Sequence, residues 1–292
     1  MKAVDGVSFA IETGETVGLV GKSGCGKSTL GKSLLRLVPA SGRIVYDGTD
    51  LAPLGERQLR PFRRRLQMVF QDPFGSLNPR HTVGAILDAP LRVHRLGDRT
   101  ERAARIVRML DRIGLPQGAA HRHPHEFSGG QRQRIGIARA LILEPELVVC
   151  DEPVSALDLS IQAQVLNLLV EMKKDMGLSY LFISHDLSVV RYFADRVLVM
   201  YLGRIIESGP AGALWDQPLH PYTQVLLDAV PDPSRKRQAA PLAGDRPSAA
   251  DLPPGCRFHT RCLRATAECA VVEPELRPRK GGRHVACHHA AA

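Results

Sequence analysis

Apolar positions along this chain follow two alternating rhythms. Residues 7–11 and 16–20 read as strands joined by a Thr13-Gly14 turn, and residues 43–46 and 67–70 as further short strands. Residues 27–37 read as a helix. Between residues 83 and 113 the period becomes helical, with Ile106, Met109, Leu110 and Ile113 on one face and Glu101, Arg102 and Arg105 on the other. A second strong helix is expected over residues 131–143, opened by the Ser128-Gly129-Gly130 turn and ended near Pro145. Residues 147–150 form an unbroken apolar run, which predicts a strand covered on both faces in a parallel sheet. A helix over 161–176, a strand over 180–183, a helix over 187–193 and a strand over 197–200 complete the alternation. The expected class is α/β.

The pattern breaks after Pro231. Pro, Arg, Ala and Gly dominate residues 232–254, which read as a linker. Residues 255–289 carry Cys and His without periodicity, and so small a segment would need a staple in place of a core of its own.

Composition adds bounds. An apolar share of 44% with only 5% aromatic residues suits a core of Val, Leu and Ile. The net charge is +9, and +5 of it falls from Asp232 onward, where eleven Lys/Arg meet six Asp/Glu. Such a tail reads first as a solvated surface, with contact to anionic lipid headgroups or to nucleic acid as the alternatives. The sequence holds no run of about 18 apolar residues and its start has no apolar stretch of signal-peptide length, so a cytosolic protein is expected. In that compartment its six cysteines are not expected to form disulfides.

The chemistry concentrates in a few places. Gly21-Lys22-Ser23-Gly24-Cys25-Gly26-Lys27-Ser28-Thr29 lies between an expected strand and an expected helix. Glycines there let backbone amides close around phosphate oxygens, Lys27 neutralises β/γ charge, and Ser28 offers its hydroxyl to Mg²⁺. Cys25 contributes backbone only. Asp151, after the buried run, is placed for the Mg²⁺ shell, and Glu152 for activating a water. An acidic pair after a strand is a weak sign alone and a strong one beside the glycine loop. His185, one residue beyond the next strand, is expected at the same sheet edge as a γ-phosphate contact.

Taken together these motifs resemble the ATPase subunits of ABC transporters. Walker A at 21–29, a Gln-loop at Gln71, the signature Phe127-Ser128-Gly129-Gly130-Gln131, Walker B at 147–152, a D-loop ending at Asp158 and a switch His185 occur in order. The signature opens with Phe where the family usually has Leu. QDPFGSLNPR at 71–80, PHEFSGGQRQRIGIARALILEP from Pro124 and HPYT at 220–223 look more narrowly like dipeptide/oligopeptide importers, of the second-ATPase type. The resemblance implies an α/β P-loop nucleotide-binding domain over 1–231, with a mixed sheet core and a helical subdomain at about 72–140, a linker at 232–254, and a Cys-bearing extension over 255–292.

It also implies a mechanism. Two ATPases meet head to tail, so that Ser128, Gly129, Gly130 and Gln131 of one complete the site of the other, with Mg²⁺ held through Ser28, Gln71 and Asp151. The implied partners are a paired ATPase in a heterodimer, two transmembrane permeases and an extracytoplasmic solute-binding protein, at the cytoplasmic face of the membrane and without nucleic acid. Nickel importers share these ATPases, so the solute stays open. Ribosome- or DNA-acting relatives carry two cassettes or a long coiled coil between the motifs, and this chain has only about a hundred residues there without sustained heptads. Family members begin with a further strand and an adenine-stacking aromatic residue. No Phe, Tyr or Trp precedes Phe9, so the expected start lies upstream or the chain is truncated, and the adenine contact has no assigned residue.

Cys256, Cys262, Cys269 and Cys287 are spaced C-x5-C-x6-C-x17-C. That spacing is wider than the paired turns of structural zinc and suits the corners of a [4Fe–4S] cluster, which the resemblance also implies. Zinc, with His259, His284 or His288 in place of one thiol, and free thiols stand as alternatives.

Overall fold

The structure, a computed structural model, describes residues 2–230 and 252–290. Most of the expected linker at 232–254 lies outside the described residues. Along the chain come β1 (Thr16–Val20), α1 (Lys27–Leu34), β2 (Val45–Tyr46), β3 (Thr49–Asp50), α2 (Glu56–Arg65), β4 (Leu66–Val69) and α3 (Pro73–Ser76). Then follow α4 (Val83–Val93), α5 (Arg99–Arg112), α6 (Gly129–Leu141), β5 (Leu147–Asp151), α7 (Leu159–Met176), β6 (Ser179–Ser184) and α8 (Leu187–Phe193). The last elements are β7 (Arg196–Tyr201), β8 (Arg204–Pro210), α9 (Ala211–Asp216), α10 (Pro221–Asp228), α11 (Ala267–Val271), β9 (Arg277–Arg279) and β10 (Arg283–Val285). The chain divides into two compact units. The first comprises Met1–Ile11, Glu15–Gly31 and Phe182–Ala292, and the second Glu12–Gly14 and Lys32–Leu181.

In the first unit β1 pairs in parallel with β7, and β7 pairs antiparallel with β8. The sheet is therefore mixed, as expected. All five residues of β1 are buried, which fits a strand covered on both faces. Helix α8 lies close over it: a Cβ on Gly18 would come 2.5 Å from Val190. Asp186 opens α8 by accepting the Ser188 amide at 2.8 Å, a standard N-cap.

Residues 7–11, expected as a strand, carry none. Alternation shows which side faces inward, but a strand also needs a neighbour's backbone groups. At Ala10 the carbonyl instead accepts a hydrogen bond from the Arg196 guanidinium at 2.5 Å, which is itself paired with Glu15. The segment after residue 252 does the reverse. Without visible periodicity it supplies β10, antiparallel to β8, and β9, antiparallel to β10. The Ala286 amide continues that edge by donating to the Ile206 carbonyl at 2.8 Å. The staple that so small a segment requires is thus a borrowed sheet edge.

Two charged anchors reinforce it. Arg283, 9% exposed, donates to Glu207, which is fully buried, at 3.0 Å. Arg257 donates to the Leu202 carbonyl and pairs with Asp5, holding the Asp5 carboxyl below the usual carboxylate range.

In the second unit β4 and β5 pair in parallel, Leu66 to Leu147 through Val69 to Cys150. The small β2–β3 hairpin turns at Asp47 and Gly48, both with positive φ (48° and 74°), the geometry of a type I′ turn. The helical run read over 83–113 is two helices. Gly97, with φ 80°, and a reciprocal capping box between Asp98 and Glu101 separate them. Arg102 of α5 pairs with Asp88 of α4 at 2.7 Å. Ile135, Ile137 and Leu141 of α6 are fully buried, so this helix forms part of the unit's core.

Candidate active site

Strand β1 runs directly into the glycine loop and α1 begins at Lys27, the strand–loop–helix context that phosphate binding requires. Two glycines are sterically compelled. A Cβ on Gly21 would come 2.3 Å from the Met200 carbonyl oxygen, and one on Gly26 2.3 Å from that of Ala3. Backbone cannot yield there as a side-chain tip could, so no larger residue fits. Lys27 is 4% exposed and its ammonium donates to the Gly21 carbonyl at 2.7 Å, which folds the side chain back along the loop. Gly203 donates to the Cys25 carbonyl at 2.9 Å, tying the loop to the β7–β8 turn. Cys25 itself is buried. His185 follows β6 directly and is exposed.

One contact to this loop was not expected. The Lys22 amide donates to the Tyr222 hydroxyl at 3.0 Å. The HPYT stretch, legible only as a mark of resemblance, turns out to be a built structure. His220 opens α10 by accepting the Tyr222 amide on Nδ1 at 3.0 Å, while its own amide donates to Glu207 at 2.9 Å. Burial pushes the His220 imidazole down to about 3, which keeps it neutral and Nδ1 able to accept. The sign follows from linkage: the unfolded chain takes up this proton near 6.5 and the folded chain only near 3. The stability present above pH 6.5 is therefore lost as pH falls through that window, at about 1.4 kcal/mol per pH unit. His220→Asn still offers a capping oxygen. It is expected to flatten the acid limb of urea midpoint against pH, and an unchanged slope would remove His220 as its source.

The second unit holds the other expected residues. Asp151, 3% exposed, ends β5. Glu152 follows with φ 46°, a left-handed backbone that an ordinary side chain adopts at a cost and that recurs at functional positions. The Gln71 amide reaches the Glu152 carboxylate at 3.2 Å, so Gln-loop and acidic pair meet. Ser155 closes the following turn by donating through both amide and hydroxyl to the Glu152 carbonyl. Asp158 stands at the start of α7 without capping it through its side chain, and is exposed.

The signature forms a capping box. Ser128 accepts the Gln131 amide and the Gln131 side chain accepts the Ser128 amide, which leaves the amides of Gly129 and Gly130 at the opening of α6. Gly130 is fixed by packing: a Cβ would come 2.4 Å from Ile161 of α7. The Phe that replaces the usual Leu is accounted for, since Phe127 is buried beneath the Arg122 guanidinium, 4.4 Å from its ring centre.

The cysteine expectation finds no support in the geometry. No disulfide joins Cys256, Cys262, Cys269 and Cys287. They stand near enough for Cys262, Cys269 and Cys287 to add to a pKa at Cys256 that burial pushes up to about 11. Yet among the described residues no three Cys, His, Asp or Glu side chains are grouped so as to hold a metal ion. Two of the three histidines named as substitutes are engaged elsewhere: His259 meets the Cys256 carbonyl and His288 that of Val272. His289, outside the expected set, is the ring near Cys269, at 3.4 Å. The arrangement therefore lends no support to a [4Fe–4S] cluster or zinc at these positions.

Comparison with known proteins agrees with the motif set. The ABC transporter family profile matches residues 4–155, and that of the oligopeptide/dipeptide transporter C-terminal region matches residues 206–269. The oligopeptide transport ATP-binding protein AppF of Bacillus subtilis is 53% identical over 99% of this chain and 89% of its own length. A putative peptide import ATP-binding protein of Brucella ovis is 53% identical over 98% of this chain and 92% of its own. Among solved structures, the dimeric ATP-binding cassette MJ0796 bound to ADP and Pi superposes with a TM-score of 0.65 at 30% identity, covering 72% of this chain and 90% of that one. The cassette cbiO1 of Clostridium perfringens, part of the cbiONQ transporter complex, gives 0.66 at 30% identity over 74% and 84%. A Walker A loop on a buried strand, a capped signature helix and a C-terminal region built into the first unit thus occur in a chain that belongs to the ABC transporter ATPases, among the ATP-binding subunits of the oligopeptide/dipeptide transporter type.

Proposed function

We propose that this chain hydrolyses ATP to drive import of peptides across the cytoplasmic membrane, paired with a second ATPase subunit and two permeases that receive solute from an extracytoplasmic binding protein. The observation that carries the peptide reading is the oligopeptide/dipeptide C-terminal region at residues 206–269, which in this fold reaches the glycine loop through Tyr222. Among the described residues no helix is long and apolar enough to cross a membrane, so the membrane path is assigned to the permeases.

In this reading Gly21 to Thr29 cradle the phosphates, with Lys27 neutralising charge and His185 contacting the γ-phosphate. Ser28, Gln71 and Asp151 offer hydroxyl, amide and carboxylate oxygens, a hard donor set that suits Mg²⁺. When bound, Mg²⁺ neutralises charge on the β- and γ-phosphates. Glu152 takes the proton of the attacking water, held in orientation by Gln71. Ser128, Gly129, Gly130 and Gln131 serve the nucleotide carried by the partner ATPase, and Asp158 lies in the D-loop between the two. A cluster or zinc at the four tail cysteines stays outside this reading. Iron, sulfide and zinc analysis of anaerobically purified protein is the measurement that would restore it.

The permease would dock beside the Gln-loop. There the second unit has a groove of about 500 Å³ lined in part by Leu37, Phe70, Ile86 and Val93. Leu37, Phe70 and Val93 are 45%, 37% and 56% exposed, unusual for apolar side chains that no partner covers.

The reading is tested by reconstituting the chain with its partner ATPase, permeases and binding protein in vesicles. ATP-dependent uptake of labelled di- to pentapeptides is expected. Uptake of Ni²⁺ with no peptide transport would replace the substrate and keep the machine.

A further inference from the structure

The C-terminal region of this chain reaches the nucleotide loop at one well-defined point. Tyr222 is fully buried, and its hydroxyl accepts the Lys22 amide from 200 positions away in sequence. Lys22 itself is exposed, and the buried hydroxyl gives its amide a fixed protein partner in place of exchanging water, which restrains where Lys22 sits. Lys22 in turn accepts the Cys25 amide at 3.2 Å, the turn that brings the chain round towards Gly26 and Lys27. The phenol ring is held from several directions. Tyr201 of β7 lies against it at 4.6 Å between centres and Phe258 of the cysteine segment at 5.5 Å, edge to face. Phe258, 2% exposed, also touches Tyr201 at 5.4 Å and His220 at 5.7 Å. Beneath them Glu207 accepts the amides of Leu219 and His220 and the guanidinium of Arg283.

We infer that Tyr222 is a positioning residue for the phosphate loop, and that Phe258 of the cysteine segment holds it in place. The inference rests on the reading of Gly21 to Thr29 as the phosphate cradle. Before nucleotide arrives, a loop of small residues samples shapes that do not match a triphosphate, and ordering it on binding weakens affinity. One buried acceptor at Lys22 removes part of that freedom in advance. Bound phosphates can themselves draw the loop into shape, so the effect belongs to affinity and not to turnover of the filled site. Edge-to-face ring contacts constrain orientation, so Phe258 governs where the phenol hydroxyl points. The state of the cysteine segment is thereby transmitted to nucleotide affinity.

The test compares wild type, Tyr222→Phe and Phe258→Leu in the full chain assembled with its partner subunits. Tyr222→Phe keeps the ring and removes the hydroxyl that accepts the Lys22 amide. Its KM for MgATP is expected to rise about 5- to 20-fold with kcat within about twofold, and exchange of the loop amides to quicken. Phe258→Leu is expected to raise KM in the same direction by less, and to add little on top of Tyr222→Phe because both act on one contact. Unchanged KM and unchanged loop exchange in Tyr222→Phe overturn the inference. So does a fall of kcat in step with a lowered melting temperature, which is the mark of a merely structural residue. Lys27→Ala run beside them separates the two levels. If it binds MgATP normally, the phosphate-cradle reading falls and this inference with it. If it loses affinity while Tyr222→Phe does not, only the role of Tyr222 falls.

Discussion

Glu152→Gln is expected to slow ATP hydrolysis at this site about 10²–10⁴-fold while leaving ATP binding in place, because it removes a proton acceptor and keeps shape and volume. Single-turnover hydrolysis and nucleotide retention in the assembled complex measure the two separately. Glu152 is held in a left-handed backbone conformation at the end of a buried strand, with the Gln71 amide on its carboxylate. A carboxylate steadied in that way can take a proton from a water without first reorganising. The Gln variant forfeits the proton transfer alone, so the ATP-bound pair of ATPase subunits is expected to accumulate. Lys27→Ala acts earlier: it removes the cation that the loop presents to the phosphates, and nucleotide affinity itself falls. Normal hydrolysis by Glu152→Gln would mean that the base is another group.

Arg283→Met is expected to cost about 3–5 kcal/mol of stability, read as the urea midpoint of the intact chain. Glu207 is fully buried, and among the described residues Arg283 is the cation paired with its carboxylate; the amides of Leu219 and His220 also donate to it. Removing the guanidinium leaves a buried carboxylate with, among the described residues, the Leu219 and His220 amides to compensate it. The penalty is that of a stranded buried charge more than of a lost attraction, so the double variant Glu207→Leu/Arg283→Met is expected to recover much of it. No recovery would mean that the Glu207 carboxylate is needed for its two amides. The readout also tests the role of the tail, because Arg283 opens β10, the strand through which that segment joins the sheet.

The sequence by itself determined what depends on local period and on closely spaced chemistry. The strand into the glycine loop, the helix after it, the buried run ending at Asp151 and Glu152, and the helix opened by Ser128 each draw on residues within a turn or two of one another. The fold realises them within a few positions. Helix ends moved where a cap overrode the periodicity, as at Asp98. Signals of that kind were present but unread: the Asp47-Gly48 pair that turns β2 into β3 is a recognised hairpin sign.

What only the tertiary structure decided are pairings between distant partners. Residues 7–11 alternate like a strand and have no ladder, whereas residues 277–285 alternate poorly and have one, because edge pairing is settled by which backbone groups β8 leaves unmatched. The four cysteines could be counted but not placed, and the spacing of thiols along a chain does not set the distances between them. Most plainly, nothing near Tyr222 or near Lys22 announces that a phenol hydroxyl will receive that amide. The two lie 200 residues apart, and a hydrogen bond over that separation follows from how β1, β7 and α10 pack, which no local pattern of apolar and polar positions encodes.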